Sequence, residues 1–253
     1  MKGEIDLTGS FAEELIPEEV ISDIAPVSAL EWSTASRILV LPDDVRGLRI
    51  LDVGAGGSDV TATLLEMGAD AYAIDPIYRS KALLKGEVRK ENRLAGQEFD
   101  HNSDWRRYHR ESTDALDRCV TSMKSYPDRY RTATADSLPF PDNYFNIVFS
   151  VRCVSLYLDM NSNTLSSAVN ESLRVTKEGG FIQLFPWDCN SHRLPSDNDR
   201  MALILQIVDA NRLRNQLRLI NDLNSRGDVE FSIIEASPGS EFLKSLLIHK
   251  KPT

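Results

Sequence analysis

The hydrophobic and polar positions of the chain predict a series of short, buried strands. An apolar run rich in Leu, Ile and Val is typical of such a strand and occurs at 48–53, and further strands are predicted at 70–75, 131–135, 145–150 and 181–185. Two further apolar runs near the end of the chain, at 229–236 and 242–250, flank Pro238-Gly239 and predict a terminal strand pair.

Helical patterns separate these strands. Residues 163–175 repeat apolar positions at helical spacing, and a long helical stretch is predicted over 196–224, with a break near residue 210. Alternating strands and helices indicate an α/β fold, in which helices cover both faces of a mostly parallel sheet.

A glycine-rich turn, Gly54-Ala-Gly-Gly57, joins the first predicted strand to the first helix. Glycines at this position let the backbone turn tightly and come close to a ligand. Ser58 is predicted to cap the helix, which is expected to stop at Gly68. The second strand ends at Asp75, and a carboxylate at such a strand end can accept both hydroxyls of a ribose.

The turn differs from the dinucleotide-binding pattern in one position. That pattern has a third glycine where this chain has Asp59. An acid at the head of the helix would repel a pyrophosphate held there. The sequence therefore predicts a nucleoside-bearing cofactor that carries no phosphates.

Five motifs occur in order along the chain: Asp52-Val-Gly-Ala-Gly-Gly-Ser58, Ala73-Ile-Asp-Pro76, Ala135-Asp-Ser-Leu-Pro-Phe-Pro-Asp-Asn143, Phe145-Asn-Ile-Val-Phe-Ser150 and Glu171-Ser-Leu-Arg-Val-Thr-Lys-Glu-Gly-Gly180. With them the chain resembles a class I S-adenosylmethionine-dependent methyltransferase of the small-molecule "methyltransferase 11" type, over about residues 46–190. The resemblance implies a Rossmann-like, seven-stranded sheet whose last strand is antiparallel. It also implies S-adenosyl-L-methionine as the cofactor.

The resemblance assigns cofactor contacts residue by residue. Asp52 would orient the amino end of the cofactor, directly or through water, Asp75 would accept from the ribose, and Asp136 would accept from the adenine amine. The other implied contacts are the turn and strand-end residues Gly54, Ala55, Gly56, Pro76, Ile77, Ser137, Leu138, Ser150 and Val151. Among these, the backbone of Ser137 and Leu138 would read the edge of the adenine ring.

Residues 1–253 are expected to form a single methyltransferase domain with two appendages. The first is a helical leader over 1–45, in which Trp32 either packs in the core or covers the cofactor or substrate mouth. The second is an insertion or lid over 79–130, which is longer than the usual link between the second and third strands. Residues 79–131 hold 13 Lys and Arg against 9 Asp and Glu, whereas the whole chain has a net charge of −9.

Three interpretations of the insertion remain open. It is a helical or dimerisation element, a lid that binds an anionic substrate, or a contact surface for RNA. The lid interpretation depends on Arg106, Arg107 and Arg110, because guanidinium groups pair with carboxylate or phosphate through two hydrogen bonds.

Methyl transfer from a sulfonium needs alignment above all, although a hydroxyl acceptor also needs a base. Many relatives carry an acid or a histidine near the positions of Leu156 and Tyr157, and this chain has neither. Candidates for the base are therefore His192 and Asp188, which follow the fifth strand, where catalytic groups collect on loops.

Two residues after the fourth strand are candidates for binding the substrate. Arg152 would either steer an anionic acceptor or form a structural ion pair. Tyr157 would either shape the acceptor pocket or pack in the core.

Composition narrows the class of function. The net charge of −9 argues against a general nucleic-acid binder. Three widely spaced cysteines favour a reducing compartment, and neither a signal peptide nor an apolar run of membrane length is present, so a soluble, cytoplasmic protein is expected. No metal site is predicted, and the oligomeric state is left open.

These patterns together predict methyl transfer from S-adenosyl-L-methionine to a small-molecule acceptor, anionic or aromatic in character. Two alternatives stay open. One is an RNA methyltransferase, and the other is a non-catalytic S-adenosylmethionine-binding protein that acts as a regulator or partner.

Overall fold

Seven strands form one sheet in the computed structural model, which describes residues 30–80, 103–157, 162–187, 199–235 and 244–252. The strands are β1 Arg49–Val53, β2 Asp70–Ile74, β3 Tyr130–Arg131, β4 Phe145–Val151, β5 Thr176–Trp187, β6 Val229–Glu235 and β7 Lys244–Lys250. Their order is β3-β2-β1-β4-β5-β7-β6; β1 to β5 are parallel, and β7 is antiparallel to both of its neighbours. The predicted fold class is confirmed.

Helices connect the strands. The α-helices are α1 Trp32–Ala35, α2 Val60–Glu66, α3 Ser103–Ser125, α4 Val154–Tyr157, α5 Ser162–Val175 and α6 Asp199–Ser225, and 3-10 helices lie at Pro76–Ser80 and Pro127–Arg129. No described helix has the length and apolar character needed to cross a membrane.

The central strands are apolar throughout because both faces of the sheet are covered. Successive side chains of a strand point to opposite faces. Leu51 and Val53 therefore join the hydrophobic cluster on one face, which also includes Val148, whereas Ile50 and Phe149 join the cluster on the other. This arrangement explains why the strands appear in the sequence as continuous apolar runs.

The third strand and the long helix differ from their predictions, and β5 begins at Thr176, before the expected residue 181. The third strand was expected over 131–135, but β3 is only Tyr130–Arg131, because the Ser137 N–H donates to the Thr134 carbonyl and turns the chain away from the sheet. The long helix α6 continues through residue 210 without the predicted break; no Gly or Pro interrupts it.

The described part of the leader is built into the core. Leu30, Ala35, Ile38, Leu39 and Val45 are all buried in the cluster on one face of the sheet. Trp32 is partly buried against the same cluster. This segment therefore packs as part of the domain.

The second half of the insertion is also packed against the domain. Helix α3 crosses from β2 to β3 and lies beside α2, and its Ala115, Leu116 and Cys119 are buried together with Ala55 of the glycine turn. Residues 81–102, in the first half of the insertion, lie outside the described residues.

Candidate functional site

The glycine turn follows β1 directly at the carboxyl edge of the parallel strands. Gly54 has a φ of +75° and Gly56 a φ of +55°, a backbone region that favours glycine. The N–H groups of Gly54 and Ala55 both donate to the Ile74 carbonyl, at 2.9 and 3.2 Å, which fixes the turn to the end of β2. A Cβ atom on Gly54 would lie 2.1 Å from Cys153 Sγ, so both the backbone angle and the packing require glycine here.

Asp75, the first residue after β2, holds the turn from the other side. Its Oδ2 accepts the Gly56 N–H at 2.9 Å, and its Oδ1 accepts the Ile77 N–H at 2.8 Å. Burial raises the pKa of Asp75, and these two N–H groups act in the opposite direction by stabilising the ionised form. The carboxylate thus lies against both the glycine turn and the Pro76–Ile77 segment.

Asp52 is a second acid at this edge, near the end of β1. It is almost fully buried, and burial together with the negative charge of Asp75 raises the pKa of Asp52 to about 8. Both effects disfavour the charged form of the acid. A positively charged group placed between the two acids would therefore be stabilised by them.

A small cavity of about 10 Å³ lies at the turn, enough for about one water molecule. It is lined by Leu30, Asp52, Gly54, Ala55, Ser58, Val60, Phe149 and Val151. Three predicted cofactor contacts of the turn region, Asp52, Gly54 and Ala55, thus meet Val151 from the end of β4 in one place.

A larger cavity of about 420 Å³ lies elsewhere, near the amino ends of β1, β4 and β5. Its walls include Leu41, Leu48 and Phe181, and none of the predicted site residues. The chemistry-bearing side chains are gathered at the opposite edge of the sheet, so we assign the candidate site there.

Asp136 lies on the loop after β3, where it and Ser137 are exposed, whereas Leu138 is buried. The backbone of Ser137 and Leu138 was predicted to bind the edge of the adenine ring, but both of their N–H groups already donate within the protein. Ser137 N–H donates to Thr134, and Leu138 N–H donates to Glu171 Oε2 at 2.9 Å. The Asp136 carboxylate accepts no hydrogen bond within the described part of the chain and is therefore available to a ligand.

An ion pair from α5 holds this loop in place. Glu171 and Arg174 are joined at 2.7 Å, and Arg174 also donates to the carbonyls of Leu138 and Phe140 and to the Asp142 carboxylate. The pair raises the pKa of the Arg174 guanidinium and lowers that of Glu171. Both residues lie in one of the five motifs, but no function was predicted for either of them.

Asp59 joins three segments beside the turn. It occupies the N-cap position of α2, but the hydroxyl that bonds to the start of the helix is that of the predicted Ser58, whose Oγ accepts the Val60 N–H at 3.2 Å and donates to the Leu30 carbonyl. Asp59 Oδ1 accepts the Trp32 N–H of the leader at 2.6 Å, and its Oδ2 accepts from Arg118 of α3 at 2.7 Å. Sequence reasoning missed this function, because the partners lie 27 and 59 residues away.

The chain leaves β4 at the same edge. Ser150 is buried, and its Oγ accepts the Val154 N–H at 3.0 Å. Arg152 follows with a φ of +58°, and its N–H donates to the Phe185 carbonyl at 2.6 Å. Burial raises the pKa of Cys153 to about 12, which keeps this thiol protonated and makes it unsuitable as a nucleophile.

Several predicted site residues are only partly placed. The candidate bases Asp188 and His192 lie outside the described residues. Tyr157 lies in α4, and Arg106, Arg107 and Arg110 lie in α3, but their side chains are not among the described ones. Within the described ranges, no group of three His, Cys, Asp or Glu side chains could hold a metal ion.

The fold and this edge define an α/β protein that presents two acids and a glycine turn at the carboxyl ends of parallel strands. A family model described as a methyltransferase domain matches residues 51–184, just over half of the chain, and the chain therefore belongs to that family. It is accordingly an enzyme of a class that uses S-adenosyl-L-methionine, as the sequence predicted. No curated protein matches the sequence significantly.

Solved structures with a similar fold include S-adenosylmethionine-dependent methyltransferases. One from Methanosarcina mazei is 16% identical over 88% of this chain and 99% of that chain, with a TM-score of 0.47. A putative one from Methanococcus maripaludis is 15% identical over 87% and 83%, with a TM-score of 0.45. A possible histamine N-methyltransferase from Thermotoga maritima is 15% identical over 84% of each chain, with a TM-score of 0.42. The family assignment depends on the sequence match and not on these structures.

Proposed function

We propose that this enzyme transfers a methyl group from S-adenosyl-L-methionine to a small-molecule acceptor at the carboxyl edge of β1, β2 and β4. The observation that carries the proposal is the position of Asp75. Its carboxylate is tied to both the glycine turn and the Pro76–Ile77 segment, at 2.9 and 2.8 Å. The hydroxyls of a ribose bound there would donate to a carboxylate whose orientation these two hydrogen bonds already fix.

The donor set fits this cofactor in charge as well as in shape. The molecule carries a sulfonium and an ammonium group, both positive, and no phosphate. Asp52 and Asp75 are buried acids whose pKa values are raised, so each gains from a nearby positive charge. Asp59 at the head of α2 is already bound to Trp32 and Arg118, and it places an acid where a phosphate would have to bind.

When bound, the cofactor supplies a methyl group on a positively charged sulfur. The protein's own contribution is binding, orientation and exclusion of water. Asp75 orients the ribose, Asp52 holds the amino end, and the Asp136 carboxylate accepts from the adenine amine. Gly54, Ala55, Gly56, Pro76, Ile77, Ser150 and Val151 form the surrounding walls.

The acceptor is proposed to be a small molecule of anionic or aromatic character. Arg106, Arg107, Arg110, Arg152 and Tyr157 are its proposed contacts, and His192 or Asp188 is the proposed base for a hydroxyl acceptor. The reaction is proposed to take place in the cytoplasm, in line with the two described cysteines, Cys119 and Cys153, which are both free.

Calorimetric titration with S-adenosylmethionine, S-adenosylhomocysteine and NAD tests the cofactor directly. We expect roughly micromolar affinity for the first two and no binding of NAD. Binding of NAD alone, or of none of the three, would contradict the proposal. Release of S-adenosylhomocysteine in the presence of candidate acceptors then separates the alternatives: transfer to RNA favours an RNA methyltransferase, and binding without transfer to any acceptor favours a non-catalytic protein.

Asp75→Ala tests the residue that carries the proposal. The substitution should weaken S-adenosylhomocysteine binding by about 1–3 kcal/mol, because hydrogen bonds to the ribose and the anchor of the turn are both lost. Asp222→Ala, which removes an exposed acid from α6, is the matched control and should leave the affinity unchanged. Melting temperatures show whether both variants fold. Unchanged affinity in a folded Asp75→Ala protein would remove Asp75 from the site.

A further inference from the structure

Arg152 has a strained backbone at the candidate site. Its φ of +58° lies in the left-handed region, where a non-glycine residue costs about 1–3 kcal/mol. Among the described residues, one other non-glycine residue, Asn143, has a positive φ. Asparagine tolerates this region, and Asn143 also receives a hydrogen bond from Lys250 Nζ at 2.7 Å. Arginine has no such tolerance, so its presence needs another reason.

The Arg152 guanidinium has no partner in the described part of the chain. Most other described arginines have side-chain partners: Arg46 pairs with Asp44, Arg49 and Arg129 with Asp70, Arg118 with Asp59, Arg174 with Glu171 and Arg226 with Asp228. Arg152 is partly buried, yet no described carboxylate or carbonyl accepts from its side chain. A partly desolvated cation without a partner favours binding of an anion.

Arg152 lies at the same edge of the sheet as the glycine turn. The residue before it, Val151, lines the small cavity beside Asp52, and the residue after it, Cys153, packs on Gly54. The Arg152 N–H donates to Phe185 at the end of β5, which fixes the base of the side chain at the same edge. The Arg152 side chain therefore starts beside the proposed cofactor site. Asp52 and Asp75 are acids, so neither offers an anionic acceptor a positive partner.

We propose that Arg152 is a specificity-determining residue that binds a carboxylate or a phosphate group of the methyl acceptor. The inference builds on the proposed function, because it names the substrate class of the same site. The planar guanidinium forms two parallel hydrogen bonds with either anion, which lysine cannot reproduce. The strained backbone is retained because it presents this group at the end of β4.

The test uses three variants. Arg152→Gly removes the guanidinium and also relieves the backbone strain, since glycine adopts a positive φ freely. Arg152→Lys keeps the charge but loses the planar fork. Arg37→Ala is the matched control, because it removes one exposed arginine of the leader and changes the net charge by the same amount.

Each protein is first titrated with S-adenosylhomocysteine and then, once saturated, with benzoate, phenyl phosphate and benzamide. We expect the wild type to bind at least one of the two anions and not the neutral amide, which also separates carboxylate from phosphate recognition. Arg152→Gly should lose roughly tenfold or more in anion affinity, Arg152→Lys should lie between, and Arg37→Ala should match the wild type. Affinity for S-adenosylhomocysteine should be unchanged in all three variants.

A melting experiment separates recognition from a structural function. If Arg152 serves acceptor binding, Arg152→Gly should melt no lower than the wild type, because strain is removed and no internal contact is lost. A lower melting temperature, equal anion affinity in Arg152→Gly, or no anion binding by the cofactor-saturated wild type would each overturn the inference. Failure to bind S-adenosylhomocysteine in the first titration would instead overturn the proposed function itself.

Discussion

Asp52 is a buried acid whose charged form is disfavoured in the folded protein. Its pKa is raised from an ordinary value of 3.8 to about 8, by burial first and by the charge of Asp75 second. The folded protein therefore holds a proton on Asp52 that the unfolded chain releases above about pH 4. The stability contributed by this proton is fully present below pH 3.8 and is lost as the pH rises through about 8.

Asp52→Asn tests this balance, because the amide keeps the shape and cannot ionise. We expect the variant to melt at a higher temperature than the wild type at pH 8–9, with the difference shrinking steadily toward pH 4. A difference of about 1 kcal/mol corresponds to about 2–4 °C in a protein of this size. The same variant should bind S-adenosylmethionine more weakly, since the amide, unlike the acid, cannot ionise beside the cofactor's cations. A melting difference that is constant from pH 4 to pH 9 would contradict the raised pKa.

The sequence was a good guide to the position of residues whose contacts are local. Asp52, Gly54 and Asp75 lie within or beside one recognisable turn, and the structure brings all three together. Asp59 could not be assigned in the same way, because its charge is used by a leader and a helix that are distant in the chain. The sequence around a buried acid does not indicate which distant residues will bind it.

At the scale of elements, the Asp59 junction joins the leader, α2 and α3 beside the glycine turn. Asp59 is buried, and Arg118, which reaches it from α3, also donates to Thr63 and Glu66 of α2. Arg118 is 42% exposed, so solvent screens part of its interaction with Asp59. These contacts attach α3 to α2, so this helix of the long insertion packs against the domain.

A double-mutant cycle of Asp59→Ala and Arg118→Ala measures the strength of this junction. We expect a coupling free energy of about 1–2 kcal/mol in urea unfolding, because one partner is buried and the hydrogen bond is charged. The control is the cycle of Asp44→Ala and Arg46→Ala, an ion pair of similar length whose side chains are 60% and 77% exposed. The coupling in this control should be much weaker, because solvent screens both of its charges. Equal coupling in the two cycles would show that burial of Asp59 adds nothing.

Elements were predictable where apolar residues mark them and less so where they do not. The buried cores of β1, β2 and β4 appear in the sequence as apolar runs, and the structure places strands there. The first residues of β5 include Lys177 and Glu178, which are not apolar, so the strand was expected to begin only at 181. Residues 132–135 were expected to continue the third strand, but a turn stabilised through Ser137 redirects them.

At the scale of the whole molecule, the strand order follows from the family, but the integration of the leader does not. Gln183, near the middle of β5, is almost fully buried and ties the leader to the sheet. Its Nε2 donates to the Ile38 carbonyl at 2.8 Å and to Ser245 Oγ at 2.9 Å, and its Oε1 accepts the Val40 N–H at 2.8 Å. These contacts span up to 145 residues of sequence, so nothing local could have predicted them.

Gln183→Met and Gln216→Met make a matched test of this integration. Both glutamines are almost fully buried, but Gln216 Nε2 has no hydrogen-bond partner in the part of the chain that the structure describes. Gln183→Met leaves backbone groups of Ile38 and Val40 without partners, so the free energy of unfolding should fall by about 1–3 kcal/mol. Gln216→Met removes a buried polar group that has no partner there, so the change should be neutral or slightly stabilising. Urea unfolding measures both, and equal losses would mean that the leader's hydrogen bonds to Gln183 do not stabilise the domain beyond the packing of its apolar side chains.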